Sequence, residues 1–150
     1  MSSPHYAGFW LRFGATLIDS VVLGLLLMVP LTLIYGERYW VDETLVHGFW
    51  DVMLSYVAPF IITLWFWRRF RGTPGKMALR LRVVDAATGA PLPLGQCVLR
   101  YVGYFLSTLP LGLGFLWVAF DARKQGWHDK IAGSVVVVEP REPVQVGDRV

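Results

Sequence analysis

From Phe13 to Tyr35 the chain reads FGATLIDSVVLGLLLMVPLTLIY, a continuous apolar run whose only acid or base, apart from the terminal tyrosine, is Asp19. A helix needs roughly 20 such residues to cross about 30 Å of bilayer hydrocarbon. The pattern therefore predicts a first membrane span from about Gly8 to Tyr35, kinked at its far end by Pro30. A polar link, GERYWVDETLVHGFWD, separates it from a second apolar run, Phe49 to Trp67, read as the returning span. Trp40 and Trp50 mark one interface, and Trp10, Trp65 and Trp67 the other, in the manner of aromatic belts.

Beyond Trp67 the period changes. MALRLRVVD alternates as a half-buried strand does, with Leu79, Leu81 and Val83 on one face and Arg80, Arg82 and Val84 on the other. AATGAPLP follows as a turn, and SVVVVEP near the C-terminus offers a second strand. A third apolar run, Cys97 to Phe120, is long enough to cross once, yet PLGLG interrupts it with Pro110, Gly112 and Gly114. Neither arm alone spans the hydrocarbon at about 1.5 Å per residue. A re-entrant or interfacial helical hairpin and a third span both remain open, and the hairpin is preferred because it lets the two strands meet. The expected fold is an α-helical membrane protein with two transmembrane helices, this third apolar segment and a small cytoplasmic β-element. Residues 1–140 form one membrane domain, and 141–150 a flexible tail.

Charge fixes the expected orientation. The 36–51 link holds one basic residue, Arg38, beside Glu37, Asp42, Glu43 and Asp51, whereas residues 68–100 hold seven. By the positive-inside rule the N-terminus and the 68–100 segment are cytoplasmic. Hydrophobic residues make up 55% and charged residues 17% of the 150, and the mean hydropathy is +0.48, which points to an integral membrane protein. The net charge of +3 then reflects topology and gives no reason to invoke nucleic acid. MSSPHYAGFW lacks the basic start of a cleavable signal, so the first run reads as a retained span. The lone Cys97 excludes an intrachain disulfide.

An ionised carboxylate within a span costs several kcal/mol unless paired or wetted, which makes Asp19 the first candidate site. Arg12 lies seven residues earlier on the same helix face, about 10 Å away along the axis. One reading is a carboxylate that binds a proton or cation beside a fixed positive charge. The other is an ion pair that fixes packing, and Arg12 can equally take Asp129 as its partner. DARKQGWHDKIAG forms a second cluster through Asp121, His128, Asp129 and Lys130, suited to a proton relay or to capping a helix and pinning a loop. Arg68, Arg69, Arg71 and Lys76 are expected to meet anionic lipid headgroups.

GTPGK, Gly72 to Lys76, fails as a phosphate loop because Phe70 and Met77 stand where a glycine and a hydroxyl residue are required. His5, His47 and His128 lie in separate segments, so no metal or other cofactor is expected. No nucleophile, base and oxyanion site converge in the sequence, and the chain is not expected to be an enzyme.

Three blocks in order carry a family resemblance: AGFWLRFGATLID, GTPGKMALRLRVVD and LGLGFLWVAFDARKQGWHDKIAGSVVVV. Over about residues 6 to 138 the chain resembles the RDD family of small bacterial membrane proteins, named for one arginine and two aspartates. The resemblance assigns the arginine to Arg12 and the aspartates to Asp19 and Asp129, with Asp121 the next candidate for the second. It implies an inner-membrane protein and, for some members, cation/proton exchange. Transport with Asp19 as the titrating group leads on that basis, and it needs a homo-oligomer or a partner membrane protein to enclose a pathway. The alternative is a non-transporting scaffold or accessory subunit in which Arg12, Asp19 and Asp129 form a structural charge network.

Overall fold

The computed structural model describes residues 4–140, so the 141–150 tail lies outside the described residues. The first apolar run forms α1 (Phe9–Tyr35), a single 27-residue helix that continues through Pro30. Most of its middle faces outward, with Leu17, Val21, Leu25 and Leu33 exposed, as a helix bathed in lipid requires. A 3-10 turn, Glu37–Trp40, leads into the return. The returning span comprises α2 (Phe49–Val52), a π-helical turn (Met53–Val57) and α3 (Ala58–Phe70). It runs on with a break into the short α4 (Pro74–Ala78). Two helical segments, Phe9–Tyr35 and Phe49–Ala78, are thus long and apolar enough to cross a membrane.

The predicted strands pair. β1 (Leu81–Asp85) runs antiparallel to β2 (Ser134–Val138) in register Leu81↔Val138 to Asp85↔Ser134. The first strand starts later than the alternation predicted, because Met77 and Ala78 close α4 and Arg80 turns the backbone at φ 57°. Between the strands stand α5 (Leu94–Thr108), α6 (Leu113–Leu116) with its 3-10 extension (Trp117–Ala119), and α7 (Trp127–Ala132). The axes of Leu94–Thr108 and Leu113–Ala119 meet at a 110° bend, where Leu111 and Gly112 both hold positive φ. The third apolar segment leaves from one strand of a two-stranded sheet and returns to the other. It therefore folds back on itself, as the PLGLG interruption predicts.

The core lies at the basic end of the spans, around Ala15, Leu64, Trp67, Leu81, Val83, Cys97 and Val136. Trp67 is fully buried here, not at an interface as expected, and the Arg100 guanidinium lies 5.4 Å from its ring centroid. Glycine sets the close approaches. A Cβ on Gly75 would lie 2.0 Å from the Ala15 carbonyl oxygen, so α4 crosses α1 backbone to backbone. A Cβ on Gly103 would meet the His128 Cα at 2.7 Å, which brings α7 down onto α5.

Candidate functional site

Arg12 stands in the first turns of α1, and its partner is Asp129, not Asp19. Nη1 donates to Asp129 Oδ2, Nε donates to the Ala7 carbonyl at 3.1 Å, and Nη2 donates to the Lys124 carbonyl. From the other side Arg100 of α5 donates through Nη1 to Asp129 Oδ1 and to Ser134 Oγ, the latter at 2.6 Å. The Gly126 N–H completes the set at 2.9 Å from Oδ2. Asp129 and Arg100 are fully buried and Arg12 nearly so. One carboxylate thus joins the first span to the hairpin, and Arg100 carries the link on to the start of β2.

The arrangement is forced by solvation. A lone buried charge costs several kcal/mol, and a pair offsets this only with good geometry and further hydrogen bonds. Burial alone would raise the Asp129 pKa, but Arg100 and Arg12 hold it well below the usual carboxylate range. Asp129 also occupies the third position of α7, where its carboxylate caps the free Gly126 N–H. Arg100 Nε and Nη2 have no hydrogen-bond partner, and the guanidinium Cζ lies 5.4 and 5.7 Å from the ring centroids of Trp67 and Tyr104. Cation–π attraction is stronger at such desolvated positions. In the sequence Arg100 counts only towards orientation; its signal is a single cation embedded in CVLRYVG.

Asp19 serves a different joint. It accepts from Thr73 Oγ1 and, at 2.7 Å, from the Gly75 N–H, and so satisfies donors at the start of α4. Lys76, expected at the lipid headgroups, is instead buried, with Nζ 3.5 Å from Thr73 Oγ1. The cause is physical: α4 turns its lysine inward, and Thr73 relays between that cation and Asp19. Arg68 and Arg69 are exposed at the end of α3, and Arg71 is half-buried with φ 58°.

Asp121 and Lys130 pair with each other at 2.7 Å on the surface, apart from the buried cluster, and that hydrogen bond lowers the Asp121 pKa. His128 is buried against the rings of Tyr104 and Phe115, at 4.5 and 5.1 Å between centroids. Burial pushes its pKa down to about 3, so the imidazole is neutral at physiological pH.

Ser107, His128 and Asp129 superficially resemble a nucleophile, base and orienting acid, with Ser107 Oγ 3.3 Å from His128 Nδ1 and His128 Nε2 3.6 Å from Asp129. Yet Ser107 is fully buried, and a Cβ on Gly114 would sit 2.7 Å from its Oγ. There is no space there for an acyl group, and the Asp129 oxygens are committed to two arginines. Among the described residues no cluster of three or more His, Cys, Asp or Glu could hold a metal ion.

At the opposite end of the spans, Asp51 of α2 is buried and accepts from Tyr39 Oη at 2.5 Å, Ser55 Oγ at 2.8 Å and the His47 N–H at 2.9 Å. Its own N–H donates to Tyr35 Oη at 3.1 Å. This ties the link to both spans beside the π-helical turn.

The RDD family profile matches residues 6–133. The chain is 34% identical over 142 residues to an uncharacterized membrane protein, YteJ, of Bacillus subtilis, covering 89% of this chain and 82% of that one. It is 29% identical over 150 residues to another Bacillus subtilis protein, YxaI, covering 87% and 96%. An uncharacterized protein of Rickettsia prowazekii is 38% identical over 82 residues, of which the match spans 54% of this chain and 43% of the relative. No solved structure matches. With the profile covering most of its length, the chain belongs to the RDD family, and it is a membrane protein of that family.

Proposed function

We propose that the chain is a non-transporting membrane scaffold or accessory subunit of the bacterial cytoplasmic membrane, with its N-terminus and basic end in the cytoplasm. The observation that carries this reading is the burial of Asp129 between Arg12 and Arg100. All its oxygens are taken by donors from other elements, so the charge pins the hairpin and sheet to the first span. Asp19 is likewise occupied, by Thr73 and Gly75. The positive-inside distribution of Arg and Lys supports the orientation. The apolar, outward-facing side of α1 suits a second copy or a partner membrane protein.

A second reading, monovalent cation or proton exchange at Asp19, draws on one observation. Asp19 and Thr73 close the basic end of a cavity of about 460 Å³ between the spans, otherwise lined by residues such as Leu23, Leu26, Ile62 and Phe66. Reconstitution into liposomes under a sodium or proton gradient separates the two. The scaffold predicts the flux of protein-free liposomes. Flux that is present in wild type and lost in Asp19→Asn would overturn it and establish exchange.

A further inference from the structure

Four arginines converge where the second span ends. Arg69 and Arg71 from the end of α3, and Arg80 and Arg82 from the entry to β1, line one cavity of about 390 Å³. Glu139 is the one carboxylate in its wall, and it pairs with Arg82 at 2.5 Å. Arg69, Arg71 and Arg80 have no carboxylate partner among the described residues. Phe70 and Met77 supply an apolar floor, and the Arg69 guanidinium lies 5.4 Å from the Phe70 ring centroid.

The backbone independently marks this place. Arg71 and Arg80 hold left-handed conformations at φ 58° and 57°, which glycine adopts without strain and an arginine does not. Both are anchored there: the Arg71 carbonyl accepts the Val83 N–H at 2.6 Å, and the Arg80 carbonyl accepts the Glu139 N–H at 2.9 Å. Two strained positions thus carry long cations into one cavity. The planar guanidinium matches phosphate oxygens in bidentate geometry, which a lysine cannot do.

We propose that Arg69, Arg71, Arg80 and Arg82 form a binding site for a phosphate-bearing anion, either the headgroup of an anionic phospholipid or a soluble phosphate compound. The site is distinct from the buried Asp129 cluster and does not depend on the scaffold reading. It also differs from diffuse attraction to a charged surface, because the four arginines line a single cavity.

Microscale titration of the purified chain in neutral detergent tests this with two probes, short-chain phosphatidylglycerol and inorganic pyrophosphate, and with short-chain phosphatidylcholine as the zwitterionic control of zero net charge. The double variant Arg71→Gly, Arg80→Gly removes both cations and relaxes both backbones, so its thermal stability should hold or rise. At roughly fivefold per arginine, its affinity should fall about 25-fold. Arg68→Ala removes a neighbouring charge from outside the cavity and should cost much less. Loss of phosphatidylglycerol binding alone places the source in the bilayer, and loss of pyrophosphate binding alone places it in solution. Failure of wild type to bind either probe overturns the proposal. So does equal binding by the double variant, or an equal loss in Arg68→Ala.

Discussion

Arg12, in the first turns of the first span, donates to Asp129, 117 residues further along the chain. With Arg100 on the other oxygen, this carboxylate closes the molecule from its beginning to its end. Removing the negative charge leaves two buried guanidinium groups facing each other. Asp129→Asn is therefore expected to destabilise the protein by about 3–5 kcal/mol, the usual cost of breaking a buried ion pair from one side. Thermal unfolding in detergent, with elution as a single monodisperse species, measures this.

Asp19 carries a smaller share. It acts at the start of a five-residue helix and stays half-exposed. Asp19→Ala and Thr73→Val should each cost about 0.5–2 kcal/mol, as lost helix caps do. Because both act on the same turn, their effects should combine to less than the sum. A melting series of the two single variants and the double variant checks it.

Glycines give a sharper contrast. Gly75→Ala and Gly103→Ala place a methyl within 2.0 Å of the Ala15 oxygen and 2.7 Å of the His128 Cα, whereas Gly24 has nothing within 4 Å. The first two are expected to lose at least about 1–3 kcal/mol through overpacking. Gly24→Ala should be neutral, or gain up to about 1 kcal/mol from helix propensity. Melting temperatures of the three variants rank the effects.

Acid should weaken the fold from near neutrality downwards. His128 has its folded pKa lowered to about 3, whereas the unfolded histidine titrates near 6.5. Below pH 6.5 the unfolded state therefore binds the extra proton, and stability falls by about 1.4 kcal/mol per pH unit until the folded imidazole also protonates. Asp129, whose folded pKa is also depressed, adds loss of the same sign once the pH drops below the ordinary carboxylate range. Melting temperature against pH should slope down between 6.5 and 4 in wild type. His128→Gln should flatten that limb.

Much of the architecture was legible because it follows from solvent and period. Apolar length marked both spans, alternation marked LRVVD, SVVVV stood out as the second strand candidate, and PLGLG marked the fold-back. The choice of Arg12's partner was left open because spacing along one helix says nothing about contacts between distant segments. The burial of Lys76 and the pairing of Arg100 are not legible, because a basic residue has the same letter whether it faces water or a buried carboxylate. The burial of Trp67 escapes the sequence for a similar reason: tryptophan suits a belt and a core equally well. Arg100 still gave a signal, since it lies alone within an apolar run just as Asp19 does.

Arg12 and Asp129 act together to lock the first span onto the C-terminal block. A double-mutant cycle of Arg12→Met and Asp129→Asn, read by thermal unfolding, isolates that term. The structure predicts a double variant that loses less than the sum of the singles, with a coupling of at least about 1.5 kcal/mol. Losses that add to within about 0.5 kcal/mol would show the two residues to be independent and contradict it.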